Sequence, residues 1–188
     1  MDRDMSKIME EYDELIDLGL YEDALKLMDE ALEIDPDNAQ VLNDQAVVYT
    51  RLDRNGEALA SYRKSLELDG NNKETFSNMG FFYLKLEKYD KAIEMFDKAL
   101  EIDDTYETAL SNKAATLHQL GLFKEAIDTY RKILGINPEN VNALINLSVT
   151  CYTLREYDIA LRFIERALSI EPYNKIAIET RNEIRKMV

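Results

Sequence analysis

Two side chains in this sequence carry the chemistry of a nucleophile and a base: Cys151, the one cysteine, and His118, the one histidine. A thiol attacks carbon as its thiolate, which needs a neighbouring base or positive charge, and that base is usually oriented by a third group. The pair lies one residue short of a 34-residue period that runs through the chain. Cys151 therefore falls in a core column with Tyr49, Tyr83 and Leu117, while His118 sits one position beyond it. In that register Cys151 reads as a small buried hydrophobe, and His118 as a groove or surface residue. A cysteine-dependent enzyme is a remote alternative, and the expectation is no catalytic residue.

Other chemistries lack their residues. One histidine and one cysteine are too few for a His/Cys metal cluster. The six glycines form no phosphate loop, and Asp35-Pro36-Asp37 lacks the glycine and spaced ligands of a calcium loop. No cofactor and no metal are expected. A lone cysteine also excludes an internal disulfide. Asn146-Leu147-Ser148 has the form of a glycosylation sequon but falls in a predicted helix.

The elements that position these residues repeat. The stretch Tyr21–Asn38 returns as Tyr89–Asp104, Phe123–Asn140 and Tyr157–Asn174, and more weakly as Asn55–Gly70. Ala24, Ala58, Ala92, Ala126 and Ala160 keep an unbroken spacing of 34 residues. A sustained period of this length means stacked supersecondary units that share one continuous core. Each unit holds two amphipathic helical patterns, shown by Phe76, Met79, Gly80 and Tyr83, then by Ala92, Ile93, Phe96, Ala99 and Leu100. Gly19 and Gly121 fit left-handed helix C-caps. Pro36, Pro138 and Pro172 are expected to stop one helix and open the next.

These residues resemble the tetratricopeptide repeat, whose pattern asks for a large residue, Leu, Gly or Ala, an aromatic, Ala, an aromatic, Ala and Pro. The first repeat, 5–38, matches with Ile8, Leu15, Gly19, Tyr21, Ala24, Ala31 and Pro36. The second, 39–72, matches with Leu42, Ala46, Tyr49, Ala58, Tyr62 and Leu66. The third, 73–106, has Phe76, Met79, Gly80, Tyr83, Tyr89, Ala92, Phe96 and Ala99. The fourth, 107–140, has Leu110, Ala114, Gly121, Phe123, Ala126, Tyr130 and Pro138. The fifth, 141–174, has Leu144, Leu147, Ser148, Tyr157, Ala160, Ala167 and Pro172. Residues 1–4 form an N-terminal extension, and 175–188 a capping helix with Ile176, Ile178, Ile184 and Met187 apolar. The resemblance implies an all-α, right-handed α-solenoid. Tyr12 stands where the pattern wants a small residue and suggests a loose or atypical first helix pair.

Charge narrows the partners. The net charge is −14, which argues against a phosphate-tracking nucleic-acid binder. The first repeat carries twelve acidic residues against two lysines, while Lys175–Val188 is net basic. No apolar run approaches the roughly 20 residues that span a bilayer, and the N-terminal residues have no signal-peptide core. A cytoplasmic protein with no membrane partner is the expectation.

The resemblance further implies a protein-binding scaffold in which the first helix of each repeat lines a concave groove for an extended peptide. The residues placed there are Asn43, Asp44, Val47, Ser77, Asn78, Phe81, Leu84, Ser111, Asn112, Ala115, His118, Asn142, Asn146, Val149 and Tyr152. Asparagines at the sixth position, Asn78, Asn112 and Asn146, can donate to and accept from a peptide backbone. The ninth position gives an apolar lane of Val47, Phe81, Ala115 and Val149. Arg51 and Lys85 are its few fixed cations, and Asp13, Asp17, Asp44 and Glu74 make its N-terminal half negative. A protein or peptide partner with apolar side chains and a neutral-to-basic flank is expected. Some members of the family clamp a chaperone C-terminal carboxylate with lysines, arginines and asparagines. Asn43/Val47, Ser77/Phe81, Ser111/Ala115 and Ile145/Val149 do not supply that set, so such a tail is not the expected partner. The alternative reading is a homo-oligomer, with the acidic first repeat of one molecule against the basic tail of another.

Overall fold

The computed structural model describes residues 4–188. The N-terminal extension assigned to 1–4 therefore lies, except for Asp4, outside the described residues. Among those described are eleven α-helices and no strand. They are α1 (Met5–Asp17), α2 (Tyr21–Ile34), α3 (Ala39–Arg51), α4 (Asn55–Leu68), α5 (Lys73–Lys85), α6 (Tyr89–Ile102), α7 (Glu107–Gln119), α8 (Phe123–Ile136), α9 (Val141–Thr153), α10 (Tyr157–Ile170) and α11 (Lys175–Arg185).

Local chemistry sets the helix ends. Asn38, Asn72, Asn140 and Asn174 each accept, through the side chain, the backbone N–H of Val41, Thr75, Ala143 and Ala177 at 2.8–3.1 Å. These satisfy one of the amide donors that every helix start leaves orphaned. The prolines do not open helices as expected: Pro36, Pro138 and Pro172 lie in the turn, and the asparagine two residues on starts the next helix. At the other tight turn the backbone enters the left-handed region in all five repeats. Gly19 (φ 71°) and Gly121 (φ 76°) do so without a side chain, whereas Asp53, Glu87 and Arg155 hold φ values of 56–62°.

The helices form two compact units, the first ending at Leu86 and the second running Glu87–Val188. In the first, each helix from α1 to α5 packs on its chain neighbour, and α3 also lies against α5. In the second, α6 to α11 pack in succession, and α9 also touches α7 and α11. The alanine column explains how the pairs within each unit come so close: Ala24, Ala58, Ala126 and Ala160 are all fully buried. The Ser148 hydroxyl even donates to the Ala160 carbonyl at 2.8 Å, so α9 and α10 meet at backbone distance. Tyr12 is buried in one cluster with Ile8, Ala24, Leu25 and Met28, so the first pair is not loose but atypical, with an aromatic ring in the small-residue column. Helix α11 buries Ala177 and Ile184 against the preceding pair. Its Arg181 and Arg185 both pair with Glu165 of α10.

Candidate peptide-binding groove

The first helices of the repeats carry the residues singled out above. In the first unit, α3 and α5 present a polar chain beside an apolar strip. Asn78 Nδ2 donates to Asn43 Oδ1 at 3.1 Å, and Asn43 Nδ2 donates to Asp44 Oδ1 at 3.1 Å. Gln40 Nε2 donates to both Asp44 oxygens, at 3.0 and 3.2 Å. The Tyr12 hydroxyl reaches the Asp44 carbonyl at 3.5 Å. Burial pushes the Asp44 carboxyl up to about 6, against the opposing effect of the Gln40 and Asn43 donors, and the charge of Asp13 adds to the rise. Burial, with Asp44 and Asp13 beside it, likewise raises the Tyr12 phenol above its ordinary value.

Asn43 and Ser77 are only 1% exposed and present no surface to a ligand. Asn43 instead ties Asn78 to Asp44. Position five turns inward because α3 and α5 press together there, and Ile145 is buried at the same place in α9. Phe81 stands 41% exposed, with the Arg51 guanidinium 5.6 Å above its ring. Val47 and Leu84 flank it, half-buried. Lys85, expected as a groove cation, is committed elsewhere. Its Nζ donates to the Thr50 carbonyl at 2.6 Å and pairs with Asp53 at 2.7 Å, closing the C-terminus of α3.

In the second unit the side-chain amides of Asn112 and Asn146 have no hydrogen-bond partner among the described residues, and Asn142, Asn146 and Ala115 are exposed. Ser111 is half-buried, as is Tyr152, whose ring lies 5.6 Å from that of Tyr157. Ala115, His118, Asn146 and Val149 come together with Tyr130 around a recess of about 110 Å³. His118 Nδ1 is 3.0 Å from Thr150 Oγ1. The Thr150 hydroxyl gives its hydrogen to the Asn146 carbonyl at 2.7 Å, so the ring is the donor and Nδ1 carries the proton. The His118 ring meets Phe123 edge-on at 5.3 Å, and burial holds its pKa below the usual histidine range.

Tyr130 falls in the core by its repeat position, and the periodic pattern alone misses that it also walls this recess. The signal is there in the sequence: position twelve holds His118 in the fourth repeat but Thr50 in the second. Cys151 is 2% exposed, and burial followed by the charge of Glu156 raises its thiol pKa. That direction is opposite to the activation of a nucleophile. Among the described residues no group of His, Cys, Asp or Glu could hold a metal ion. None of their helices is long and apolar enough to cross a membrane.

A search of curated proteins gave no match to this chain. Solved structures do resemble it. PilF of Pseudomonas aeruginosa superposes with a TM-score of 0.84 at 22% identity, covering 97% of this chain and 83% of that one. PilW, a type IV pilus biogenesis factor, gives 0.84 at 23% identity, covering 97% and 85%. YrrB gives 0.72 at 23% identity, covering 97% and 100%. At these identities the likeness establishes the fold, an all-α solenoid of helical repeats. Three tetratricopeptide-repeat family models match residues 10–73, 74–139 and 141–174, leaving only residue 140 unmatched between the first and the last. With the 34-residue alanine column buried in every repeat, the chain belongs to the tetratricopeptide-repeat family, whose fold is generally a non-catalytic module for protein interaction.

Proposed function

We propose that this chain is a scaffold that holds an extended peptide segment against the first helices of its repeats, mainly through the segment's backbone. The observation that carries the reading is that the Asn112 and Asn146 amides are unpartnered, among the described residues, on a helix face beside Ala115 and Val149. A side-chain amide both donates and accepts, as a peptide backbone requires. Asn78 gives one amide N–H to Asn43 and keeps its second N–H and its carbonyl for a ligand. Phe81 and Val47 supply apolar contact in the first unit. The Asp44 carboxylate and the surplus of acid in the first repeat favour a neutral-to-basic flank. YrrB, whose fold this chain shares, is described as having an unusual peptide-binding site. Self-association is the less favoured reading, because Arg181 and Arg185 of the basic tail are held by Glu165, and Lys186 by Glu183. Paired cations leave little field to attract a second acidic repeat.

Selection of a random dodecapeptide phage library on the immobilised chain, followed by calorimetry of the selected peptides, tests this. Asn112→Ala should weaken binding by roughly two- to tenfold, the range of one net hydrogen bond. Phe81→Glu should weaken peptides held on the first unit by placing a charge in its apolar strip. Both variants should keep the helical spectrum of the parent. Peptides that bind all three proteins equally would move the site off these faces.

A further inference from the structure

Two tyrosines two repeats apart have different hydrogen bonding. In the second repeat the Thr50 hydroxyl gives its hydrogen to the Ala46 carbonyl at 2.8 Å. Its oxygen therefore accepts from the Tyr62 hydroxyl, 3.4 Å away. In the fourth repeat Tyr130 occupies the same place, and His118 stands where Thr50 does. His118 turns its one N–H to Thr150 in the next repeat. Tyr130, 2% exposed, is left with a hydroxyl that has no partner among the described residues. Its oxygen is not among the buried side-chain atoms that lack a partner, so water reaches it and the O–H is open to an accepting ligand group. Tyr130 is part of the wall of the recess formed with Ala115, His118, Asn146 and Val149.

From this geometry we infer that the recess is a specificity pocket for one short, neutral carboxamide side chain, an asparagine, of the bound peptide. The inference rests on the groove reading above. A carbonyl oxygen accepts the Tyr130 O–H. An amide N–H suits Nε2 of His118, which is the acceptor nitrogen once Nδ1 carries the proton. Burial keeps that ring neutral at pH 7, so a carboxylate of the same shape would meet a lone pair instead of a donor. The recess is small, about 110 Å³, which suits a short side chain. Leucine can enter the recess but leaves the hydroxyl and Nε2 unpaired.

The test is the same phage library selected in parallel on the parent chain, on Tyr130→Phe and on Ala115→Leu, with deep sequencing of the bound pools. Phenylalanine keeps the ring and removes the hydroxyl, while leucine at the exposed position 115 fills the recess without touching the core. The parent should enrich asparagine over leucine and aspartate at one position by roughly two- to tenfold. Tyr130→Phe should level asparagine with leucine at that position, and Ala115→Leu should abolish every preference there while peptides are still retained. Retained peptides with the same preferences in all three pools would overturn the pocket and leave the groove standing. No retention on the parent would remove both.

Discussion

Asn78 donates to Asn43 across 3.1 Å and a sequence separation of 35 residues, joining the sixth position of one repeat to the fifth position of the repeat before. The bond is half of a relay, because Asn43 passes its own N–H to Asp44. Replacing Asn43 by leucine strands the Asn78 amide and removes one donor from a part-buried carboxylate. Unsatisfied groups of this kind cost about 1–3 kcal/mol, and urea denaturation should record a loss of that size. Asn146→Ala should stay within about 0.5 kcal/mol, since its side chain bonds to nothing among the described residues. Equal losses in the two variants would mean that the relay contributes nothing to stability.

The approach of α9 to α10 makes the alanine column a test of packing. Ala160 is fully buried, and its carbonyl is 2.8 Å from the Ser148 hydroxyl. Leucine at Ala160 must displace α9 or adopt a strained rotamer, at a cost of about 1–3 kcal/mol. Thermal unfolding should shift down while the spectrum stays helical. An unchanged midpoint would show that the pair has slack there.

The repeat frame is legible because a period of 34 residues makes each column visible five times over, and the buried alanines occupy the columns read from it. Gly19 and Gly121 mark the left-handed turns for the same reason, although Asp53, Glu87 and Arg155 take that conformation without advertising it. Proline misleads because its backbone angle suits both a turn and a helix start, while the capping asparagine two residues later is decisive. Side-chain commitments are the least visible. Lys85 looks like a free cation in sequence, yet it closes the end of α3 through Thr50 and Asp53. Tyr130 and His118 depend on Thr150, a residue with no mark in the repeat pattern. Such hydrogen bonds are made by one hydroxyl in one layer, and a periodic reading averages them away.

Asp44 gives the groove face a titration that can be followed. Its carboxyl is raised from the ordinary 3.8 to about 6, chiefly by burial. Between those two values the folded chain holds a proton that the unfolded chain has lost. Stability from this group therefore falls as pH rises from about 4 to about 6, and then stays level. Asp44→Asn removes the charge that burial penalises. Part of the gain is returned, because a carboxamide has one oxygen for the Gln40 and Asn43 donors that now share two. The variant should be more stable than the parent by about 1–2 kcal/mol near pH 7, given roughly 1.4 kcal/mol for each tenfold change in proton affinity, and the difference should shrink towards pH 4. Binding should run the other way. A selected peptide with a lysine or arginine flank should lose affinity for the parent as pH falls through about 6, because protonation removes the charge that attracts it. Asp44→Asn should bind that peptide weakly and without the pH 6 transition. Urea titrations and calorimetry of parent and variant across this range supply both measurements, and identical pH profiles in the two proteins would rule out Asp44 as the titrating group.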